Sequence, residues 1–136
     1  TPVRMILIKN PAGCNQVLNF LSQTTEAFVF ACCLSDRASD GTDISWIWDV
    51  DFEQMAQMDE RLDSVLVSSV RAEDMAVRFK YAGVPTEKIQ VIKDYGELVK
   101  ACIAQDKPVF IMPTYTAMME LREVISKNYG FKNFWE

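Results

Sequence analysis

Six carboxylates and two tryptophans share one stretch of this chain: Asp36, Asp40, Asp43, Asp49, Asp51 and Glu53 surround Trp46 and Trp48 between residues 35 and 53. Such a stretch can bind a cation, orient a base or dock a partner. The spacing of Asp36, Asp40 and Asp43 lacks the pattern of an EF-hand loop, so no metal site is expected. An aspartate can also be the third member of a nucleophile–base–acid triad, where it holds an imidazole. The sequence contains no histidine, so that imidazole would have to come from another chain. The tryptophans, two residues apart beside carboxylates, suit an interface or the wall of a site. The plain alternative is turn chemistry at Asp40-Gly41 with solvated charges around it. Repulsion among the acids, with Arg37 as the nearby cation, predicts a mobile loop.

The four cysteines offer no second site. Cys14, Cys32, Cys33 and Cys102 form no Cys-x-x-Cys pair. Cys32 and Cys33 are neighbours on an apolar strand and must point to opposite faces. They read as buried free thiols. Only Cys14 lies near a helix start, the setting that can activate a thiol.

Apolar periodicity defines the elements that must position these groups. Strands are predicted at Val3–Ile8, Ala27–Leu34, Ser64–Val70, Ile89–Ile92 and Pro108–Met112. Between them lie helices. The first carries Val17, Leu18 and Leu21 at core spacing with Phe20 beside them, and a short second starts near Asp51 with Phe52, Met55 and Ala56. Arg71–Ala82 places Ala72, Met75, Ala76, Phe79 and Ala82 on one face, and Gly83 is its C-terminal cap. Tyr95–Ala104 turns Leu98, Val99, Cys102 and Ile103 inward, and Thr114–Lys127 does the same with Ala117, Leu121, Val124 and Ile125. The tail from Tyr129 to Glu136 carries Phe131, Phe134 and Trp135 and is expected to dock. Strand–helix alternation predicts an α/β fold: a three-layer, Rossmann-like, doubly wound sheet, mostly parallel, of about five or six strands. A chain of 136 residues suits one domain, 1–136. It starts with Thr rather than Met, and is expected to be a fragment of a longer protein.

In such sheets ligands gather at the carboxyl ends of the strands. Four segments land there: 9–16, the acidic loop, 68–74 and 112–116. Lys9, Asn10, Asn15, Arg71, Thr114 and Tyr115 are therefore candidate substrate- or nucleotide-facing residues. Helix caps and turns need the same residue types. The sequence has neither a Gly-x-x-x-x-Gly-Lys-Ser/Thr loop nor a Gly-x-Gly-x-x-Gly run, so nucleotide binding by this chain alone is not expected. A net charge of −5 argues against nucleic acid as a partner. No stretch approaches the ~20 apolar residues of a membrane span.

Four runs occur in order: Ile8-Lys9-Asn10-Pro11-Ala12-Gly13 with Asn15-Gln16; Ser39-Asp40-Gly41-Thr42-Asp43-Ile44-Ser45-Trp46-Ile47-Trp48-Asp49; Arg71-Ala72-Glu73-Asp74-Met75; and Pro113-Thr114-Tyr115-Thr116. Together they resemble the C-terminal domain of MurT, the Mur-ligase-like subunit of lipid II isoglutaminyl synthase. The resemblance covers essentially the whole chain, and its specific part is Asp-Gly-x-Asp-x-Ser-Trp-Ile. It implies a Mur ligase C-terminal domain fold and a glutamine amidotransferase partner, GatD. It also implies amidation of the D-glutamate α-carboxylate of lipid II, at the inner, cytoplasmic face of the bacterial membrane. ATP and Mg2+ would be bound mainly outside this domain, and the isolated domain would be inactive. An aspartate of this domain would complete the partner's Cys–His glutaminase triad. Asp43 matches that position, with Asp40 as its rival. Asp40, Trp46 and Trp48 become candidates for the partner interface. Where Mur ligases commonly carry an acidic residue and a histidine before the Asn-Pro turn, this sequence has Ile6 and Lys9. Nucleotide contacts are not carried over there.

Two other readings fit the pattern. One is a response-regulator-like α/β binding module, although paired acids after the first strand and a lysine after the fifth are missing. The other is a purely structural interaction domain whose acidic loop is a docking surface.

Overall fold

In the computed structural model, which describes residues 3–37 and 43–129, five strands form one parallel sheet. In chain order the elements are β1 (Val3–Met5), α1 (Pro11–Ser22), β2 (Phe28–Cys33), a 3-10 helix (Ser45–Asp49), α2 (Glu53–Gln57) and β3 (Leu62–Ser68). Then follow α3 (Ala72–Tyr81), a 3-10 turn (Thr86–Lys88), β4 (Ile89–Val91), α4 (Tyr95–Ile103), β5 (Val109–Pro113) and α5 (Tyr115–Tyr129). The sheet order is β1-β5-β2-β3-β4, and every pairing is parallel.

Alternation along β2 explains the three layers. Phe28, Phe30 and Cys32 face one cluster, built with α1, α2 and α3. Val29, Ala31 and Cys33 face the other, built with α4 and α5. Adjacent residues on a strand point to opposite faces, so Cys32 and Cys33 separate as the sequence requires. The sheet is thus doubly wound, as expected. It is not response-regulator-like, because that topology puts the first strand inside the sheet in the order 2-1-3-4-5. Here β1 is an edge strand beside β5.

Phe79 is the centre of the first cluster. Its ring meets Phe30 at 5.8 Å and Phe52 at 5.0 Å, both inclined edge-to-face. Helix α3 ends as its sequence dictates. Gly83 takes a φ of +100°, its N–H reaches Lys80 O, and Val84 N–H reaches Phe79 O, the double bond pattern of a Schellman cap. A Cβ added at Gly83 would lie 3.2 Å from Ala56 Cβ. Strain and contact act together, so Gly83→Ala is expected to cost about 1–2 kcal/mol, read as a drop of about 5 °C in thermal unfolding.

Four expectations need correction. The third strand runs Leu62–Ser68 rather than Ser64–Val70, because Ser69 adopts a φ of 77° and ends it. Ile103 is 44% exposed, since it lies roughly 100° around the helix from buried Cys102. Within the acidic loop, Ser45–Asp49 is a 3-10 helix, while the short second helix expected near Asp51 is present as α2. The first strand is short, but it continues as backbone bonds from Ile6 N–H to Ile111 O and from Ile8 N–H to Pro113 O. The aromatic tail with Phe131, Phe134 and Trp135 lies outside the described residues, as does Asp40.

Candidate functional site

Strands β2 and β5 are neighbours whose following helices lie on opposite faces, which makes a crevice at their carboxyl ends. The chain plugs that crevice itself. Thr114 N–H donates to Cys33 O at 3.0 Å, and Ser35 N–H donates to Thr114 Oγ1 at 3.0 Å. Ser35 is 1% exposed and Thr114 4%. Thr114 therefore closes the sheet edge instead of presenting a group to a ligand. Thr114→Val orphans a buried N–H and is expected to destabilise by about 1–3 kcal/mol. Thr114→Ser keeps the acceptor and recovers most of that in a urea melt.

The other edge residues are also used internally. Asn10 caps α1, its Oδ1 accepting from Gly13 N–H at 2.8 Å, while Cys14 N–H bonds Asn10 O. Pro11 has no N–H, so little of this helix start is left to cradle a phosphate. Asn15 Oδ1 accepts from Asp51 N–H at 2.8 Å and ties α1 to the acidic segment. Arg71 pairs with Asp36 at 2.7 Å, which raises its already high pKa, and reaches Asp74 at 3.5 Å. Lys9 and Tyr115 are exposed. A shallow cleft of about 230 Å3 is lined by Arg37, Ser69, Val70, Lys93, Tyr95 and Glu120, none of those six candidates. Its floor is a relay in which Ser69 Oγ meets the Tyr95 hydroxyl at 2.7 Å and that hydroxyl donates to Glu120 at 3.1 Å. Burial keeps the Tyr95 phenol protonated well above its ordinary range.

No set of three or more His, Cys, Asp or Glu among the described residues is placed to hold a metal ion. Cys14 is fully buried, and burial pushes its thiol up to about 12, which removes it as a nucleophile. No helix among the described residues is long and apolar enough to cross a membrane.

Asp43 is different. It is exposed, and its Oδ1 accepts from Ser45 N–H at 2.9 Å. That bond and one from the Ser45 side chain hold the carboxyl below its usual range. The turn opens the 3-10 helix. A group with a lowered folded pKa stabilises above its unfolded pKa of about 4 and loses that effect as pH falls through the folded value. At neutral pH Asp43 is therefore an ionised, outward-facing acceptor.

The segment that carries it is fixed by Arg78, whose side chain is 3% exposed. Its Nε donates to Ile47 O at 2.9 Å, its Nη2 donates to Val50 O at 2.7 Å, and its two Nη groups reach both Glu53 oxygens at 3.1 Å. The pairing holds the Glu53 carboxyl below its ordinary range. The guanidinium also lies 5.0 Å from the Trp48 ring centroid and 5.3 Å from that of Phe52. Trp46 packs against the core and Ile47 is buried, while Trp48 stays 51% exposed. Among the described residues, Arg71 thus pairs with Asp36 and Arg78 with Glu53. Ser45–Asp49 of this segment is a 3-10 helix, and α2 follows from Glu53.

Residues 7–118 match the family described as MurT ligase C-terminal. The chain belongs to that family. A MurT relative, the MurT subunit of the glutamine-hydrolysing lipid II isoglutaminyl synthase of Streptococcus pneumoniae, is 37% identical over 123 residues, covering 90% of this chain and 27% of that protein. The MurT subunit of Staphylococcus aureus is 32% identical over the same length, covering 90% of this chain and 28% of that protein. The chain spans about a quarter of the length of these curated relatives. Two solved Thermotoga maritima structures share the fold. Folylpolyglutamate synthase aligns with a TM-score of 0.56 at 14% identity, covering 96% of this chain and 29% of its own. The UDP-N-acetylmuramate-alanine ligase MurC aligns with a TM-score of 0.52 at 13% identity, covering 92% and 26%. The fold is therefore that of Mur-ligase-type C-terminal domains, as the MurT resemblance implies.

The arginine that frames the acidic segment of this MurT-type domain escapes a reading by motif. One signal for it is present in the sequence. Arg78 sits three residues after Met75 and one before Phe79, a cation inside the apolar stripe of α3. A charge at that spacing is almost never buried unless paired, so it points to acceptors brought in from elsewhere.

Proposed function

We propose that this chain is the C-terminal domain of the ATP-dependent ligase subunit that, with a glutamine amidotransferase subunit, amidates the D-glutamate α-carboxylate of lipid II. In this reading Asp43 completes the partner's Cys–His glutaminase triad. The observation that carries it is the geometry of Asp43: an exposed, ionised carboxylate on a rigid turn, in a chain without histidine. Such a group accepts the Nδ1–H of an imidazole supplied by the partner. It fixes the tautomer and stabilises the imidazolium that forms as the partner's cysteine is activated. Ammonia released from glutamine then reaches the activated carboxylate elsewhere in the longer subunit. ATP and Mg2+ act outside this domain, and the isolated domain is inactive. The complex works in the cytoplasm at the inner face of the membrane. The names of the MurT relatives, glutamine-hydrolysing lipid II isoglutaminyl synthase subunits, support this assignment.

The test is Asp43→Asn in the full-length subunit assembled with its partner, measuring complex formation and glutamine hydrolysis separately. Intact assembly with lost hydrolysis supports the reading, and undiminished hydrolysis ends it. Loss of assembly with no specific catalytic defect would instead favour a purely structural domain.

A further inference from the structure

Trp48 is half exposed yet held in place. Its ring is met edge-on by Tyr81 at 5.9 Å, and the Arg78 guanidinium lies 5.0 Å from its centroid. Arg78 is itself bonded to Ile47 O, Val50 O and Glu53, so the tryptophan rests against a buried group that cannot move away. Tyr81 is 71% exposed and Val77, one turn earlier on the same face of α3, is 47% exposed. The three form an apolar patch built from two separate elements.

We infer that the Trp48–Tyr81–Val77 patch is the docking anchor for the subunit that supplies the imidazole, and that this subunit meets it with an apolar pocket rimmed by basic residues. The inference rests on the triad reading of Asp43. Three features single out this occupant. Asp43 lies five residues before Trp48, just ahead of the 3-10 helix that carries it, so a partner that brings an imidazole to Asp43 approaches the segment that presents Trp48. The exposed acids Asp43 and Asp49 lie either side of Trp48 in the chain, while the charge of Glu53 is met by Arg78. Acids so placed select a basic counterpart and steer its approach. Tryptophan and tyrosine dominate interface hot spots, and a side chain already immobilised loses less entropy on binding. Trp46, by contrast, is partly buried against the core.

The experiment measures the dissociation constant of the full-length subunit with its glutaminase partner. Trp48→Ala is expected to weaken it about 30-fold or more, and Tyr81→Ala about tenfold. Asp49→Lys is expected to slow association and flatten its salt dependence. Met119→Ala, an exposed apolar residue on α5, is expected to change nothing. Tyr81 is so exposed that its truncation leaves the fold intact, which keeps the test valid if Trp48→Ala destabilises the domain. Wild-type affinity for both aromatic variants overturns the inference, as does an effect confined to self-association of the ligase subunit. The two readings fail separately. If Asp43→Asn stays fully active while Tyr81→Ala weakens assembly, the triad falls and the docking surface stands. If Asp43→Asn abolishes hydrolysis while both aromatic variants bind normally, only the docking surface falls.

Discussion

Asp43→Asn is expected to lower glutamine hydrolysis by the assembled complex about 10⁴-fold in kcat, with assembly unchanged. The magnitude is that of removing the charge, but not the shape, of a triad aspartate. The substitution isolates that charge unusually well here. The replacing asparagine keeps an acceptor oxygen for the Ser45 N–H, since asparagine forms the same turn as aspartate. The 3-10 helix Ser45–Asp49 therefore keeps its start. What changes is the partner's imidazole, which loses its anionic orienter. Asp43→Ala removes both the charge and the turn acceptor, so it is expected to lose hydrolysis and loosen the segment together. The pH profile adds a second check. Hydrogen bonds from Ser45 hold the Asp43 carboxyl below its usual range. Asp43 thus remains ionised as pH falls from neutral toward about 5, where imidazoles take up protons. Loss of wild-type hydrolysis over that interval belongs to the imidazole, and the interval should not move when Ser45 is changed to Ala.

The fold is legible in sequence because it depends on periodicity. Alternation in Phe28–Cys33 and helical spacing in Ala72–Phe79 each encode which side is buried, and a string of such segments leaves few topologies. Gly83 is legible for a local reason, since a left-handed cap is a property of one residue and its neighbours. The edge residues mislead because polar side chains at strand ends serve caps and ligands equally well. Only distance in space separates Thr114 plugging the crevice against Ser35 from Thr114 facing a ligand, and 79 residues of sequence lie between them. The acidic segment misleads for a related reason. Its charges look unpaired within the segment, and their main cationic partners, Arg71 and Arg78, arrive from the loop before α3 and from α3 itself. Asp43 is proposed from the motif before any geometry, and the absence of histidine that bears on that proposal is visible in sequence alone.

Arg78→Met is expected to destabilise the domain by about 3 kcal/mol and to reduce glutamine hydrolysis more than its stability loss predicts. The removed guanidinium serves Ile47 O, Val50 O and both Glu53 oxygens from a nearly dry position. Methionine keeps part of the volume and none of the donors. Glu53 is 53% exposed and can turn to water, so the roughly 3–5 kcal/mol that follows breaking a fully buried pair is an upper bound. The loss comes chiefly from the two carbonyls, at about 1–3 kcal/mol for each group left buried without a donor. Stacking on Trp48 and Phe52 adds to it. Denaturant unfolding should show a lower midpoint with unchanged slope, the mark of altered stability without altered compactness. The catalytic excess follows from what Arg78 frames. Released from Ile47 and Val50, the 3-10 helix no longer presents Asp43 at a fixed position, and even a small misplacement of an orienting group is costly in rate. Arg78→Lys separates the two effects. A lysine restores the positive charge, but it cannot span two carbonyls and a bidentate carboxylate at once. It should recover part of the stability while hydrolysis stays low, whereas recovery of both in parallel would mean that Arg78 supports the fold and nothing more.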